Sequence, residues 1–526
     1  MESRVAVRAI VAAFGALAPV RPAAGQRVAD AGAFVLRIGG DTLVIERFTR
    51  AADTITGSLS VKGQPRQDYV AAIGPDHTIA SIALTVYPAG APAGAAPLQR
   101  ANVEARRDSM IADLGGQTQR FATRPDAIMV MNNSFALAEE FTRRARAAGG
   151  PADIPGWALS GGVTLSVALA PIGSDSMTLT IAGQVERLRV DRDGRILGGT
   201  IPSQRLAIDR VGPAVAAGLT MGRVDYSAPP EAPYTATDVT VREPGGITLG
   251  GTLTLPKGVI QPVPAAVTIT GSGQEDRDEY IPLAGNYRPF RQIADTLGRR
   301  GIAVLRLDDR MVGASGGPLG TSADYAQDIE AALAYLRTRP EIDSNRLALI
   351  GHSEGGMIAP MVAVADPRVT AIVLLAGPAK TGREIIRYQQ RQAIDHDSAI
   401  APAGRDSAYR AATVELDSAA AHNRWLKFFL SYDPLATARR VRAPALILQG
   451  ATDHQVTPDQ AEQLAAAMRA GGDPDVTVRI FPELDHLFIP DPSGLPSGYT
   501  HLGSDKMSTA VLGAIADWLA KHLNAE

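Results

Sequence analysis

From about Ala33 to Tyr226, apolar and polar residues alternate with period two, and clusters of turn residues separate the runs. Phe34-Val35-Leu36-Arg37-Ile38, Thr42-Leu43-Val44-Ile45-Glu46 and Thr54-Ile55-Thr56-Gly57-Ser58-Leu59-Ser60-Val61 are examples. Such alternation belongs to strands with one buried face. Two hairpins echo each other: Tyr69–Ile73 turns at Pro75-Asp76 into Thr78–Ile82, and Arg187–Val190 turns at Arg192-Asp193-Gly194 into Arg195–Gly198. The pattern predicts an antiparallel meander or barrel-like sheet. One stretch departs from it. Phe135 to Ala148 places Phe135, Leu137, Phe141 and Ala145 at helical spacing, with Asn132-Asn133-Ser134 read as its cap. His77, the histidine of this half, sits beside a predicted turn and is expected to be solvated there rather than to act as a ligand.

The pattern changes near Ala232 to Thr237, where Pro229, Pro230 and Pro233 mark a linker. Two strand-like runs follow, Asp238–Arg242 and Ile247–Leu255. Short apolar runs then alternate with helical segments, which predicts βαβ units and a parallel sheet. The expected strands are Ala265–Thr270, Ala303–Leu307, Leu347–Ile350, Thr370–Ala376, Ala443–Gln449 and Val476–Phe481. The expected helices are Phe290–Arg299, Ala323–Leu336, Pro458–Ala470 and Lys506–Leu523. Gly377 to Asp433 carries no strand. Its amphipathic runs Glu384–Ile394 and Ala408–Leu416, and the aromatic segment Trp425-Leu426-Lys427-Phe428-Phe429, read as a helical cap on the side where strands end.

Composition narrows the field. A chain of 526 residues implies two or three domains, and 45% hydrophobic with 20% charged residues describes a globular protein. A net charge of −3 without a Lys/Arg run speaks against nucleic acid as a partner. The absence of cysteine excludes disulfides, thiol catalysis and Cys-based zinc sites. Arg4 and Arg8 precede the apolar run Ala9–Val20, which is too short for a bilayer span, and Pro22-Ala23-Ala24-Gly25 follows. Residues 1–25 therefore read as a secretory signal, so a secreted or periplasmic protein is expected. No later segment reads as a membrane span, and the oligomeric state is left open.

The chemistry centres on Gly351-His352-Ser353-Glu354-Gly355, which follows the apolar run Leu347–Ile350 and opens a helix-like segment. A sharp strand-to-helix turn of this kind lifts the serine out on a strained backbone, and the small residues around it let neighbouring chain pass. Free N–H groups at the helix start favour developing negative charge. Ser353 is thus the candidate nucleophile, with Gly351 and Gly355 as elbow residues.

The motif Gly271-Ser272-Gly273-Gln274-Glu275-Asp276-Arg277-Asp278, the stretch Asp308-Asp309-Arg310-Met311-Val312-Gly313-Ala314-Ser315-Gly316-Gly317 and the elbow with Ala359-Pro360 after it follow one another along the chain. Together they resemble the α/β-hydrolase family over residues 234–526. The nearest likeness is to bacterial carboxylesterases of the dienelactone-hydrolase and prolyl-oligopeptidase-like branch. Met311 stands where that branch usually has glycine. The resemblance implies an α/β-hydrolase fold, a mostly parallel central sheet with a cap insertion at about 378–435, preceded by a β-rich accessory domain at 26–233.

It also implies an order of catalytic parts, Ser, then Asp or Glu, then His. Asp453, after the strand Ala443–Gln449, matches the family's G-x-x-D. Asp485 is the rival acid, but it adjoins the candidate histidine. His486, soon after Val476–Phe481, is the candidate base; spacing alone leaves His501 and His454 open. The oxyanion hole would pair the Glu354 N–H with that of Ser272 or Gly273. Asp276, Arg277, Asp278 and Asp309 read as ion pairs bracing that loop. His352 is expected to point away from the nucleophile, and His396, His422 and His522 to be surface or cap residues. The implied activity is hydrolysis of small carboxylic esters through an acyl-enzyme, with no metal or organic cofactor. A peptidase of the prolyl-oligopeptidase type, aminopeptidases included, is the runner-up, although the N-terminal half is too short and irregular for its propeller. A binding protein on a dead hydrolase scaffold is the third reading, and the intact Ser, Asp and His set argues against it.

Overall fold

The computed structural model describes residues 30–524, apart from 93, 182, 223, 286, 398 and 399 and the side chain of 422. The signal expected over residues 1–25 lies outside the described residues.

The alternating half forms one fifteen-stranded sheet. Its first strand, Asp30–Ile38, lies at the centre, between Asp41–Arg50 on one side and the last strand, Leu206–Val211, on the other. The first eight strands run outward from there as a meander to Thr118–Ala122, and the remaining seven fill the other side out to Ile128–Val130. All neighbours are antiparallel except Ile128–Val130 with Ala152–Ala158. Both expected hairpins are present, one on each half of the sheet.

The helix falls at Phe135–Ala148, with Ser134 as N-cap and its hydroxyl accepting from the Leu137 N–H. It touches Thr54–Val61 on one half of the sheet and Ile128–Val130 at the far edge of the other. Laid flat, those ten strands would span about 43 Å, whereas a helix of this length is about 21 Å long. The sheet therefore curls around the helix, and Phe34, Phe48, Trp157 and Leu188 pack with Phe135 and Phe141 in one core. Glu46 seals the helix start: its carboxylate accepts from the Phe135 and Ala136 N–H groups and from the Tyr69 hydroxyl. His77 occupies its turn with φ of 63°, but its Nδ1 also meets the buried carboxylate of Glu140 at 2.9 Å, so it is tied to the helix rather than simply solvated.

The second sheet has eight strands, numbered here in chain order: β1 Tyr234–Arg242, β2 Thr248–Pro256, β3 Val263–Ile269, β4 Ala303–Leu307, β5 Ile342–His352, β6 Ala371–Leu375, β7 Ala445–Gly450 and β8 Val476–Phe481. Their spatial order is β1-β2-β4-β3-β5-β6-β7-β8, and only β2 runs against the rest. The strands β3 and β6 and the Leu347–Ile350 part of β5 are largely apolar on both faces because helices cover both. Val267 and Leu349 point into the core shared with α2 (Ser322–Arg337), α3 (Gly355–Ala365) and α8 (Asp459–Gly471). Ala266 and Ile350 point into the core shared with α1 (Pro289–Gly298) and α9 (Thr509–His522). Between β6 and β7 stand four helices, α4 Gly382–His396, α5 Arg405–His422, α6 Arg424–Ser431 and α7 Pro434–Ala438. Leu416, Ala420, Leu426 and Leu430 give this insertion a small core of its own. Among the described residues no helix is long and apolar enough to cross a membrane.

The two sheets are joined by more than the linker. Gly313 N–H donates to the Gly63 carbonyl at 3.1 Å, and Tyr280 hydroxyl donates to Asp41 at 3.2 Å. In the linker, Tyr226 donates its hydroxyl to Asp276 at 3.1 Å while the Arg277 guanidinium lies 4.3 Å above its ring.

Candidate active site

Ser353 sits between the end of β5 and the start of α3 with φ of 52°, a left-handed conformation that costs a non-glycine residue about 1–2 kcal/mol. The turn is held by the Ser353 N–H to the Leu375 carbonyl and by the Gly356 N–H to the Ser353 carbonyl, both 2.9 Å. The flanking glycines are needed for space. A Cβ on Gly351 would lie 2.0 Å from the Gly355 carbonyl oxygen, and one on Gly355 would lie 2.1 Å from that of Ile269. The strained serine is thus the product of a crowded crossing of three backbone segments.

Asp453 and His486 are far apart in sequence, and the parallel order of β7 and β8 brings their following loops together. His486 Nδ1 donates to Asp453 Oδ2 at 2.8 Å, with both side chains buried. That carboxylate is itself fixed by the Gln449 amide at 2.9 Å and by the N–H groups of Gln455 and Val456 at 2.7 and 2.9 Å. Asp485 does not reach the His486 ring. Its Oδ1 accepts from the Leu487 and Ile489 N–H groups at 2.9 Å each, and burial pushes its carboxyl up to about 6. His454 is occupied by the Tyr388 hydroxyl of the cap at 3.0 Å, and His501 by Thr500 at 3.0 Å. Ser353 Oγ makes no hydrogen bond with His486 in this conformation; such contacts tighten when substrate binds.

The loop after β3 passes close to the serine: a Cβ on Gly271 would lie 3.5 Å from Ser353 Cβ. The Gly271 N–H is taken by Glu279 at 2.9 Å and Glu275 at 3.2 Å. Ser272 and Gly273 are exposed at the loop tip, Gly273 with φ of 131°. The brace beneath is ionic, as expected for three of the four residues. Arg277 grips Asp308 through two hydrogen bonds of 3.0 and 2.7 Å, Arg288 meets Asp276 at 3.1 Å, and Arg306 pairs with Asp278. Asp309 is the exception. It accepts from the Thr270 hydroxyl at 2.8 Å and the Glu275 N–H at 2.9 Å without an ion-pair partner, and burial pushes its carboxyl well above the usual range. Met311 takes φ of 64°, the left-handed conformation a glycine would adopt freely.

Two side chains at the elbow do more than the sequence indicated. His352 points away from Ser353 and bridges two loops: its Nδ1 meets Glu279 at 2.7 Å, and its Nε2 donates to the His486 carbonyl at 3.0 Å. Burial lowers its pKa, but the Glu279 charge and hydrogen bond outweigh this and leave it raised. Glu354 is buried, accepting from the Ser322 hydroxyl at 2.5 Å and from the Trp425 indole N–H of α6 at 2.8 Å, and burial raises its carboxyl pKa. Trp425 stacks on Phe429 at 5.2 Å. A helix of the cap is therefore hung directly on the residue after the candidate nucleophile.

Known proteins resemble this half of the chain. Residues 283–493 match the family described as "Serine aminopeptidase, S33". The esterase EstD of Thermotoga maritima is 28% identical over 280 residues, 52% of this chain and 66% of that protein. The thiohydrolase apmlB of Arthrinium phaeospermum is 34% identical over 87 residues, 16% of this chain and 28% of its own length. Among solved structures, the Pyrococcus furiosus esterase Pf2001 is 15% identical with a TM-score of 0.39, covering 57% of this chain and 98% of its own. The sheet order and the elbow give the C-terminal half of the chain an α/β-hydrolase fold, and its matches in sequence are to hydrolases.

Proposed function

We propose that this protein is a serine hydrolase that cleaves carboxylic esters through an acyl-enzyme. The observation that carries the reading is the His486–Asp453 hydrogen bond of 2.8 Å, with the His486 ring 4.9 Å from that of His352, the residue before a serine on a strained elbow. Donating Nδ1–H to Asp453 leaves Nε2 as the free acceptor, the tautomer a general base needs. In this reading Ser353 attacks the ester carbonyl as His486 takes its proton. The N–H of Glu354, with that of Ser272 or Gly273, receives the negative charge that develops on the carbonyl oxygen. His486 then returns the proton to the leaving alcohol, and water repeats the sequence to release the acid. The Gly271 N–H is spent on Glu279 and Glu275, which narrows the second donor to the two residues after it.

Similarity to the esterase EstD supports esters as the substrate class. The finer assignment to the dienelactone-hydrolase branch rests on the Gly271–Asp278 and Asp308–Gly317 motifs. The decisive measurement is turnover of p-nitrophenyl acyl esters by wild type and Ser353→Ala, run beside an aminoacyl amide. The variant should lose about four orders of magnitude or more in kcat and escape labelling by a fluorophosphonate. Full activity in Ser353→Ala would sink the proposal, and amide cleavage at rates rivalling ester cleavage would turn it toward a peptidase.

A further inference from the structure

The curled N-terminal sheet encloses a hollow of about 310 Å³ between its inner face and the helix Phe135–Ala148. Leu137 and Phe141 of the helix and Val167, Leu179 and Ile181 of the sheet give it an apolar wall. Glu186 is the one ionisable side chain in that wall among the described residues. Its placement follows from the alternation of the strand Gln184–Val190: Leu188 and Val190 are buried, Val185, Arg187 and Arg189 are exposed, and Glu186 shares the inward parity.

Nothing around this carboxyl supplies a counter-charge. Arg187 and Arg189 are on the outer face, and the flanking strands Ser176–Ile181 and Ile196–Ile201 carry no charged residue. Arg205, on the turn that follows, gives its guanidinium to the Thr500 carbonyl. On the helix, Glu139 is held by Arg50, Arg143 and Arg210, and Glu140 by Arg50 and His77, while Arg144 gives its guanidinium to the Asp76 and Asp126 carbonyls and Arg146 to that of Ser174. Gln184 is the hydrogen-bond partner Glu186 has, and burial pushes its carboxyl up to about 7. Asn132, Asn133, Ser134, Gln184 and Gln204 complete the polar lining, so among the described residues polar groups but no cation face the hollow, and a carboxylate there is costly until a counter-charge meets it.

We propose that this hollow is a binding site for a hydrophobic ammonium compound, an aliphatic or arylalkyl amine whose body lies on the apolar wall and whose charged end pairs with Glu186. The volume is at the lower end of small-molecule sites and equals that of about ten waters. The hollow shares Asn133 and Gln204 with a second cavity of about 230 Å³, which is lined by Gln274, Glu275 and Asp276 of the loop after β3. These two residues form a common wall between the cavities, and occupation of the first does not depend on the reaction proposed at Ser353.

Titration calorimetry of the full chain with n-octylammonium, 1-octanol and octanoate at pH 6, 7 and 8 tests this. An alkyl amine keeps its proton across that range, its pKa lying near the lysine value of about 10.4. The ionised fraction of Glu186 rises from about one tenth at pH 6 to about nine tenths at pH 8, so amine affinity should rise about tenfold. At pH 8 octanol should bind about tenfold more weakly and without a pH trend, and octanoate more weakly still. Glu186→Gln, which removes the buried charge and should remain folded by thermal melting, should abolish both the amine preference and its pH dependence. Leu179→Trp, filling the hollow, should cost the binding of all three. Equal affinity for amine and alcohol at pH 8, tighter binding of octanoate, no saturable binding, or an amine preference surviving in Glu186→Gln would each overturn the proposal.

Discussion

At the scale of single residues, the candidate site depends on side chains whose partners lie far along the chain. Asp485 illustrates how neighbours in sequence can differ in role. Its carboxylate ties the Leu487 and Ile489 N–H groups while Asp453 takes the His486 ring. Because burial raises the Asp485 carboxyl from 3.8 to about 6, the folded chain holds that proton more tightly than the unfolded one. Between about pH 4 and 6 the native state then binds more protons, so stability falls as pH rises through this window. Asp485→Asn keeps an oxygen for both N–H groups and removes the charge. Its melting temperature relative to wild type should therefore climb from pH 4 to pH 7, with a ceiling of about 3 kcal/mol. A difference that stays flat with pH would contradict this reading.

His352 makes a second case. By holding the His486 carbonyl and Glu279, it fixes the loop that carries His486 against the loop after β3. His352→Phe should lower kcat on a p-nitrophenyl ester about 10- to 100-fold while changing KM little, since a displacement of about 1 Å in a positioned group has that scale of effect. An unchanged kcat in a folded variant would show that the bridge is dispensable.

Among elements, the cap helix α6 is the informative one. Its sequence Arg424–Ser431 is amphipathic enough to be read as a helix, but nothing local shows that Trp425 reaches the residue beside Ser353. Trp425→Phe preserves the stack on Phe429 and deletes one donor to a buried carboxyl, a loss of about 1–3 kcal/mol. Hydrogen exchange should report it as roughly tenfold or greater loss of protection over residues 424–431, with the central sheet unaffected. Uniform loss across the chain would mean that the contact supports the whole fold instead of the cap.

For the molecule as a whole, the linker is a structural member. Tyr226 lies under Arg277 and bonds Asp276, so it supports the loop from the side of the N-terminal sheet. Tyr226→Ala should cost about 2–3 kcal/mol, the combined scale of a cation–π contact and one hydrogen bond to a charged group. Scanning calorimetry checks that loss. Ester turnover should fall with it, because Ser272 and Gly273 ride on the same loop; full turnover in a destabilised variant would separate the two effects.

Much of this architecture was legible in residue order. The helix Phe135–Ala148, the strand Ala303–Leu307 and the strand Val476–Phe481 fall where periodicity and turn residues put them. The elbow was equally plain, because a strand, a tight glycine-flanked turn and a helix are all written within about twenty residues. These features follow from interactions between residues a few positions apart, which a linear pattern records. Pairing Asp30–Ile38 with Leu206–Val211 and inserting β4 between β2 and β3 are decisions of another kind. So are the His352 bridge and the bond from Trp425 to Glu354. Each depends on which faces and loops meet once distant segments pack, and a hydrogen bond of about 3 Å has no counterpart in local periodicity. Local residue order sets the elements and the chemical parts they carry; the packing of distant segments sets which of those parts touch.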